Sequence, residues 1–309
     1  MLKYIMRRVL ILIPVMLGVM FVVFTMLYIT PGDPATMILG ENATPDAVIA
    51  LREEMGLNDS FLVRFARYVW KIVTEGDFGL SYTNKRPVLE VVMTRFPNTI
   101  ILSVTSAVIA VFLGLLLGVV AAVKQYSIFD NISMTLALVG LSMPNFWQGL
   151  LLMLLFSLKL ELLPVSGFTT WKHVILPALT IGTGSCALIA RMTRSSMLEV
   201  IRQDYVDFAR SKGQKEFWVI VRHGLRNAMI PILTTIGLQF GAMLGGSVLT
   251  ESVFAIPGLG KLMVDSIKQR NYPVVQAGVL IIALSYCVVN LLVDLLYAAI
   301  DPRMKANLK

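Results

Sequence analysis

Charged residues are scarce in this chain, and their scarcity excludes a soluble protein. Of its 309 residues only 15% are charged and 56% are hydrophobic, and the mean hydropathy is +0.75. In soluble domains about a quarter of all residues are charged. The composition of this chain therefore predicts a polytopic membrane protein. The net charge of +8 does not indicate nucleic-acid binding, because the basic residues gather in particular short loops.

Cysteine and histidine are also rare, with two residues of each kind. Cys186 and Cys287 fall inside apolar segments, where we expect small core residues and not a disulfide framework. His173 and His223 are expected on opposite faces of the membrane, which argues against a shared metal site. We therefore predict no metal and no cofactor on this chain.

Motifs for nucleotide hydrolysis and for catalysis are missing. A phosphate-binding loop has the pattern G-x-x-x-x-G-K-[ST], and the nearest match is GLGK at 258–261. Ala255 stands where the first glycine is required, and Leu262 replaces the hydroxyl residue. The sequence contains neither H-E-x-x-H nor G-x-S-x-G. We therefore expect that the chain is not an enzyme.

Six apolar segments are long enough to cross a membrane, which takes about 20 residues. They lie at 9–29, 99–123, 132–157, 175–196, 228–250 and 275–299. The first is predicted to be a retained anchor, because its apolar run is too long for a signal peptide and a turn at 29–34 follows it. The predicted fold class is an all-α polytopic membrane protein with six transmembrane helices.

The distribution of lysine and arginine predicts the orientation of these spans. With the N-terminus inside, the inner segments hold fifteen basic residues and the two short outer loops hold five. The seven in 30–98 carry little weight, because long segments cross largely regardless of charge. We expect both termini in the cytoplasm. The predicted parts are an anchor helix at 1–29, an external segment at 30–98, and a core at 99–309 with a cytoplasmic loop at 197–227.

A few polar residues fall within or near the ends of the spans. Asn290 and Asp294 lie one helical turn apart in the sixth span, and a carboxylate at membrane depth is a functional candidate. The alternative is a structural role as the partner of an interfacial arginine or a backbone group. Arg191 and Arg194 are expected to extend to the membrane interface.

Residues 203–213 form a polar interruption between the fourth and fifth apolar segments. Asp204 is a candidate helix N-cap, and Asp207 falls where a capping box places its acidic residue. Gly213 is expected to end the helix in the left-handed conformation. An apolar stripe is predicted at Leu198, Ile201, Tyr205 and Phe208. Such a helix suits either anionic lipid at the interface or docking onto another protein.

The same stretch resembles a known family, the membrane permease subunits of ABC importers of the dipeptide, oligopeptide and nickel type. DYVDFARSKG at 204–213, followed by HGLRNAMIP at 223–231, is similar to the cytoplasmic E-A-A loop of these permeases. In the family this loop is a coupling helix that docks into a groove of the ATPase. Asp207 takes the place of the Glu, and Phe208 replaces the first Ala. The resemblance assigns the coupling role to Asp204, Tyr205, Asp207, Phe208, Ala209, Arg210, Lys212 and Gly213.

Further segments resemble the same family in the same order along nearly the whole chain. They are PGDP at 31–34, GDFGLS at 76–81, LPVSG at 163–167, TESVFAIPGLG at 250–260, NYP at 271–273, NLLVD at 290–294 and DPR at 301–303. Each is a weak signal alone, and their shared order makes the resemblance specific.

The resemblance implies a type I ABC importer permease fold and a set of partners. These are a second homologous permease that forms a heterodimer, two ABC ATPase subunits that bind ATP and Mg²⁺, and an extracytoplasmic solute-binding protein. Membrane lipid surrounds the spans, and the location is a bacterial or archaeal plasma membrane.

The cargo implied by the resemblance is a di- or oligopeptide, with glutathione, nickel chelates and opines as alternatives. Peptides are favoured because no span carries a Met, His and Cys set that would relay a metal. An ATP-independent channel or secondary transporter is the alternative of another class. Internal inverted repeats and carboxylates near the midplane would favour it, and the sequence shows neither.

Overall fold

The computed structural model describes residues 2–40 and 43–300, which form fourteen α-helices and two π-helical segments. Within these residues the one β feature is an isolated bridge between Leu80 and Pro87. The predicted all-α class is confirmed. Three basic residues that contribute to the predicted orientation, Arg303, Lys305 and Lys309, lie outside the described residues.

The helices are numbered in chain order. They are α1 (Leu2–Ile29), α2 (Pro34–Leu39), α3 (Pro45–Glu54), α4 (Phe61–Glu75), α5 (Val88–Val123), α6 (Ile128–Ser142), α7 (Asn145–Leu152), α8 (Lys172–Ile201), α9 (Asp204–Ser211), α10 (Glu216–Trp218), α11 (Arg226–Gly246), α12 (Val248–Val253), α13 (Leu259–Lys268) and α14 (Tyr272–Ile300). The π-helical segments are Met153–Lys159 and Val219–Leu225.

Five helices in the described part of the chain are long and apolar enough to cross a membrane, and a broken pair makes a sixth candidate. The broken pair is Ile128–Ser142 with Asn145–Lys159, which meet at 105°. The third predicted span, 132–157, is therefore broken near Pro144, and it counts as a sixth span if the bent pair is taken as one. Pro144 lacks an N–H group and disfavours a helical conformation at Met143, which is extended at φ −81° and ψ 129°.

One compact unit comprises Ile100–Ile256 and the part of α14 from Val288 onward. Helices α6, α7 and α11 pack against α8, and Leu176, Ile189 and Phe254 are fully buried in its core. At Gly118 of α5 a Cβ atom would lie 2.5 Å from the Cβ of Thr193. Glycine is needed there because α5 and α8 approach so closely.

The second compact unit comprises Leu2–Thr99 and Pro257–Cys287. Helix α4 packs on α1 through aromatic rings, and the centroid of Phe24 lies 5.5 Å from those of Phe61 and Phe65. A separate apolar core joins α5, α13 and α14 in this unit. Its buried members are Val88, Val92, Leu259, Val274 and Ala277.

Both cysteines are free thiols, as predicted. Cys186 is buried and Cys287 is half-buried. Within residues 2–40 and 43–300, His, Cys, Asp and Glu form no group that could hold a metal ion. The division into an anchor, an external segment and a core remains a prediction about topology.

Candidate functional site

Helix α9 (Asp204–Ser211) is the central element of the candidate site, and its N-terminus differs from the prediction. The N-cap is Gln203, which is extended at φ −83° and ψ 142° and makes no side-chain cap hydrogen bond. Because Asp204 is already helical, the predicted capping box of Asp204 and Asp207 is wrong. Both carboxylates still lie in the first turn, where they interact favourably with the positive end of the helix dipole.

The C-terminal end of α9 is as predicted. Gly213 has a φ of +75°, in the left-handed region, and its N–H donates to the carbonyl of Arg210 at 2.9 Å. A Cβ atom on Gly213 would meet no neighbour within 4 Å. The need for glycine therefore comes from the backbone conformation and not from lack of space.

The buried side of α9 is small and differs from the predicted stripe. Val206 and Ala209 are buried and pack together with Val219. Tyr205 and Phe208, two members of the predicted apolar stripe, are exposed. The helical periodicity of α8 does not continue into α9, because the chain leaves the helix at 202–203 and restarts in a new register.

Arg210 pairs with two carboxylates, one in α9 itself and one in the following helix, α10. Its Nη2 and Nε donate hydrogen bonds of 3.0 and 3.3 Å to Glu216 of α10, and its Nη1 donates one of 2.9 Å to Asp207. The hydrogen bonds that Arg210 donates to Glu216 raise the pKa of its guanidinium above its ordinary value. These hydrogen bonds fix the orientation of α9 relative to α10.

The outward side of α9 carries two large aromatic residues among charges. Tyr205 is 44% exposed and Phe208 is 61% exposed. The Lys212 ammonium lies 4.5 Å from the centroid of the Phe208 ring, a favourable cation–π contact. Exposed aromatic side chains on a rigid element are typical of protein-docking surfaces. The arrangement is suited to binding another protein.

The segment that follows α9 packs against α8. The π-helical segment Val219–Leu225 passes close to α8, and a Cβ on Gly224 would lie 3.1 Å from the Cε of Met197. The Nε2 of His223 lies 3.0 Å from the Oε1 of Gln214. Phe217 and Trp218 are exposed at the start of a candidate span, a position where aromatic residues favour the membrane interface.

Arg194 is paired with a carboxylate of α6, and its extension to the membrane interface stays a prediction. Its Nε and Nη2 donate hydrogen bonds of 2.7 Å to the two carboxylate oxygens of Asp130. Asp130 is only 3% exposed and also accepts from the backbone N–H of Tyr126 at 3.0 Å. The sequence reasoning missed Asp130, although a carboxylate in the first turn of an apolar segment needs a partner. Arg191 is exposed.

Asn290 and Asp294 are half-buried in the part of α14 that packs against α11. They share a helix face with Tyr297, whose hydroxyl hydrogen-bonds to the Oγ1 of Thr234 in α11 at 2.7 Å. The packing is close, because a Cβ on Gly237 of α11 would lie 2.5 Å from a methyl group of Val293. This position fits a structural role in helix packing, and a functional role stays a prediction.

A small cavity of about 210 Å³ lies in the same unit as α9, among α6, α7, α8 and α11. Three half-buried polar residues line it: Asn145, Ser185 and Gln239. The sequence reasoning named none of them, because single neutral polar residues inside apolar helices give a weak signal. Their convergence depends on the break between α6 and α7.

Comparison with known proteins finds relatives over the whole chain. Residues 1–103 match the family described as "Binding-prot-dependent transport system membrane comp, N-term", and residues 114–306 match "Binding-protein-dependent transport system inner membrane component". The glutathione transport system permease protein GsiC of Salmonella paratyphi A is 46% identical over 305 residues, which is 99% of each chain. The protein of that name from Escherichia coli K12 is 45% identical over the same share of each chain.

Solved structures share the fold. The inward-facing MetNI methionine ABC transporter matches with a TM-score of 0.59 at 16% identity, covering 69% of this chain and 97% of that chain. An amino acid ABC transporter with histidines matches with a TM-score of 0.50 at 18% identity, covering 70% of this chain and 94% of that chain. At such identities the likeness concerns the fold alone.

Proposed function

The chain belongs to the inner membrane components of binding-protein-dependent transport systems, and we propose that α9 is the element through which ATPase subunits drive it. It is a multi-pass inner-membrane protein and the permease subunit of an ABC importer, not an enzyme. Permease subunits of this family carry no cofactor, and ATP is used by the ATPase subunits. The family implies partnership with a second permease, ATPases and a binding protein.

The observation that carries this proposal is the exposure of Tyr205 and Phe208 on a helix whose other side is anchored. Val206 and Ala209 are buried against the chain that follows α9, so the outward aromatic residues have a firm support. Aromatic anchors at the centre of an interface commonly contribute most of its binding energy. The groove of an ATPase subunit is the occupant that fits this role in an importer.

The local geometry suits the transmission of force. Arg210 holds α9 to α10 through Glu216, and Gly213 fixes the turn between the two helices. When two ATPase subunits close around ATP, they would draw the coupling helices of the paired permeases together. Rocking of the helix bundles would then change which side of the membrane the pathway opens to.

The proposed orientation places α9 and both termini in the cytoplasm. The support is the excess of lysine and arginine in segments on that side, including eight between residues 191 and 227. The segment 30–98 would then face the binding protein. The cavity lined by Asn145, Ser185 and Gln239 would form part of the pathway, because its polar groups converge within the helices.

The proposed cargo is a small peptide. The two curated relatives are named for glutathione transport, and glutathione is itself a tripeptide. Glutathione is therefore the first peptide to test, ahead of longer oligopeptides, nickel chelates and opines. The proposed partner is a second homologous permease, so that the pathway forms between two related chains.

The test is reconstitution of the complex, with its partner permease, ATPases and binding protein, into proteoliposomes. We expect ATP-dependent uptake of glutathione or of a dipeptide, and we expect Phe208→Ala to abolish coupling between ATP hydrolysis and uptake. Trp171→Ala, at another strongly exposed aromatic residue, is the matched control and should leave coupling intact. Uptake by this chain alone, without ATP, would contradict the proposal and favour a channel.

A further inference from the structure

A larger cavity, of about 620 Å³, lies within the unit formed by Leu2–Thr99 and Pro257–Cys287. Its walls come from the end of α1, one face of α4, the loops near 32–34 and 78–82, and the start of α14. Cavities of about 300–1,000 Å³ are typical of small-molecule sites. None of its lining residues belongs to α9 or to the set that lines the polar cavity.

The lining of this cavity is strongly basic. Arg52, Arg64, Arg67 and Lys71 line it together with a single carboxylate, Asp33. Arg64, Arg67 and Lys71 follow one another at helical spacing on α4, so they project from one face. This excess of positive charge favours an anionic ligand.

Two of these cations are not committed to carboxylates. Arg52 pairs with Asp33 at 3.6 Å and Arg67 pairs with Asp59. Within the residues that the structure describes, Arg64 and Lys71 form no ion pair. The Arg64 Nη1 donates a hydrogen bond of 3.4 Å to the carbonyl of Leu57, and its guanidinium lies 5.2 Å from the centroid of the Tyr28 ring. Neither contact neutralises its charge.

Two buried phenol hydroxyls in the cavity wall also need partners. The hydroxyls of Tyr68 and Tyr272 have no hydrogen-bond partner among the described residues, and Tyr272 is only 8% exposed. A buried hydroxyl without a partner is costly. Burial raises the pKa of Tyr68, and it raises the pKa of Tyr82 in the same wall to about 12. The Tyr68 and Tyr82 hydroxyls therefore stay protonated.

Asn271 holds two sides of this wall together. It is 2% exposed, accepts from the backbone N–H of Tyr82 at 3.0 Å, and donates to the Oγ of Ser81 at 2.8 Å. Its neighbour in sequence is Tyr272. The loop that carries Tyr82 is thus fixed against the start of α14, and the hydroxyl donors are positioned before any ligand arrives.

We propose that this cavity is a binding site for the carboxylates of a small peptide. Arg64 and Lys71 would neutralise the carboxylates, the hydroxyls of Tyr68 and Tyr272 would donate hydrogen bonds to them, and the aromatic wall would contact the peptide's apolar parts. The choice of a peptide as the carrier of the carboxylates rests on the proposed function. The positive charge and the hydrogen-bond donors of the cavity are observed independently of the proposed function.

The test is equilibrium binding of radiolabelled reduced glutathione to the purified complex in phosphatidylcholine nanodiscs, without ATP or binding protein. We expect saturable binding, and we expect amidation of both glutathione carboxylates to abolish it. The pair Arg64→Gln with Lys71→Gln should weaken binding about tenfold or more, because it removes two charged hydrogen-bond donors from the site. The matched control, Arg86→Gln with Arg95→Gln, removes two exposed cations of the same unit and should leave affinity unchanged.

A second variant pair distinguishes a loss of binding from misfolding of the protein. Tyr68→Phe with Tyr272→Phe removes only the two hydroxyls, and it should weaken binding while leaving the thermal unfolding of the complex unchanged or improved. Unchanged affinity in both variant pairs overturns the proposal. So does displacement of glutathione when phosphatidylglycerol replaces phosphatidylcholine, because the site would then hold a lipid phosphate. ATP-driven uptake is measured separately, so failure of the proposed transport function remains distinguishable from failure of this site.

Discussion

Arg194 of α8 and Asp130 of α6 form a bidentate ion pair with two hydrogen bonds of 2.7 Å. The Asp130 side chain is 4% exposed and that of Arg194 is 26% exposed. The pair joins two helices of the candidate pathway about two turns before α8 ends and the chain enters α9. It is therefore placed to keep the end of α8, from which the chain enters α9, in a fixed position.

Removing one partner of this pair should destabilise the protein strongly. Asp130→Asn leaves the Arg194 guanidinium without its counter-charge, which costs about 3–5 kcal/mol in a fully buried pair. The cost is smaller here because the Arg194 side chain is 26% exposed. We expect a clear fall in the temperature at which the buried Cys186 thiol reacts with a fluorescent maleimide. Glu90→Gln, which breaks the exposed pair with Arg86, is the control and should change that temperature little. Equal effects of the two variants would contradict this role.

Gly213 should be replaceable by asparagine but not by valine. Its φ of +75° costs an ordinary L-residue about 1–2 kcal/mol, while asparagine adopts the left-handed conformation more readily. We expect Gly213→Val to uncouple ATP hydrolysis from uptake and Gly213→Asn to retain most coupling in proteoliposomes. Gly18→Ala, at a glycine with open space and ordinary helical geometry, serves as the control. Normal ATP-driven uptake by Gly213→Val would show that the left-handed turn is not needed for coupling.

Charge-reversal variants of Arg210 and its partners can distinguish a role inside the protein from a role in binding the ATPase subunit. Reversing Asp207 and Arg210 together restores their mutual attraction but places a carboxylate opposite Glu216, so we expect uncoupling. Adding Glu216→Arg restores the link between α9 and α10. Recovery of coupling in the triple variant, measured as uptake per ATP hydrolysed, would show that the internal link matters. Persistent uncoupling would assign the defect to contacts with the partner subunit.

The polar cavity of the α9-containing unit should be needed for passage but not for assembly. Ser185→Trp would fill much of its volume of about 210 Å³. We expect loss of uptake while the ATPase subunits still co-purify with the complex. Ser195→Trp places the same side chain at an exposed position of α8 and should transport normally. Undiminished uptake by Ser185→Trp would exclude this cavity from the pathway.

The helix content and the position of α9 could be predicted from the sequence because both depend on local patterns. Long apolar runs specify spans, and Gly213 marks the end of α9 through its own backbone preference. The N-cap was placed one residue late, because Gln203 and Asp204 can both precede a helix and only the observed dihedral angles of Gln203 decide between them.

The tertiary pairings could not be predicted in this way. The partner of Arg194 lies 64 residues earlier, and no local pattern connects the two. The outward direction of Phe208 depends on the new register after 202–203, which the periodicity of α8 does not contain. The basic cavity requires α1, α4 and α14 to meet, although the spacing of Arg64, Arg67 and Lys71 alone indicates a charged helix face.

The central claim, that α9 docks onto an ATPase subunit, is tested most directly by photo-crosslinking from position 208. A benzophenone amino acid in place of Phe208 lies on the exposed side of the helix, and the same group in place of Trp171 provides the control. The account predicts an ultraviolet-dependent adduct with an ATPase subunit from position 208 and none from position 171. An adduct from position 208 with lipid or with the binding protein, and not with an ATPase, would contradict it.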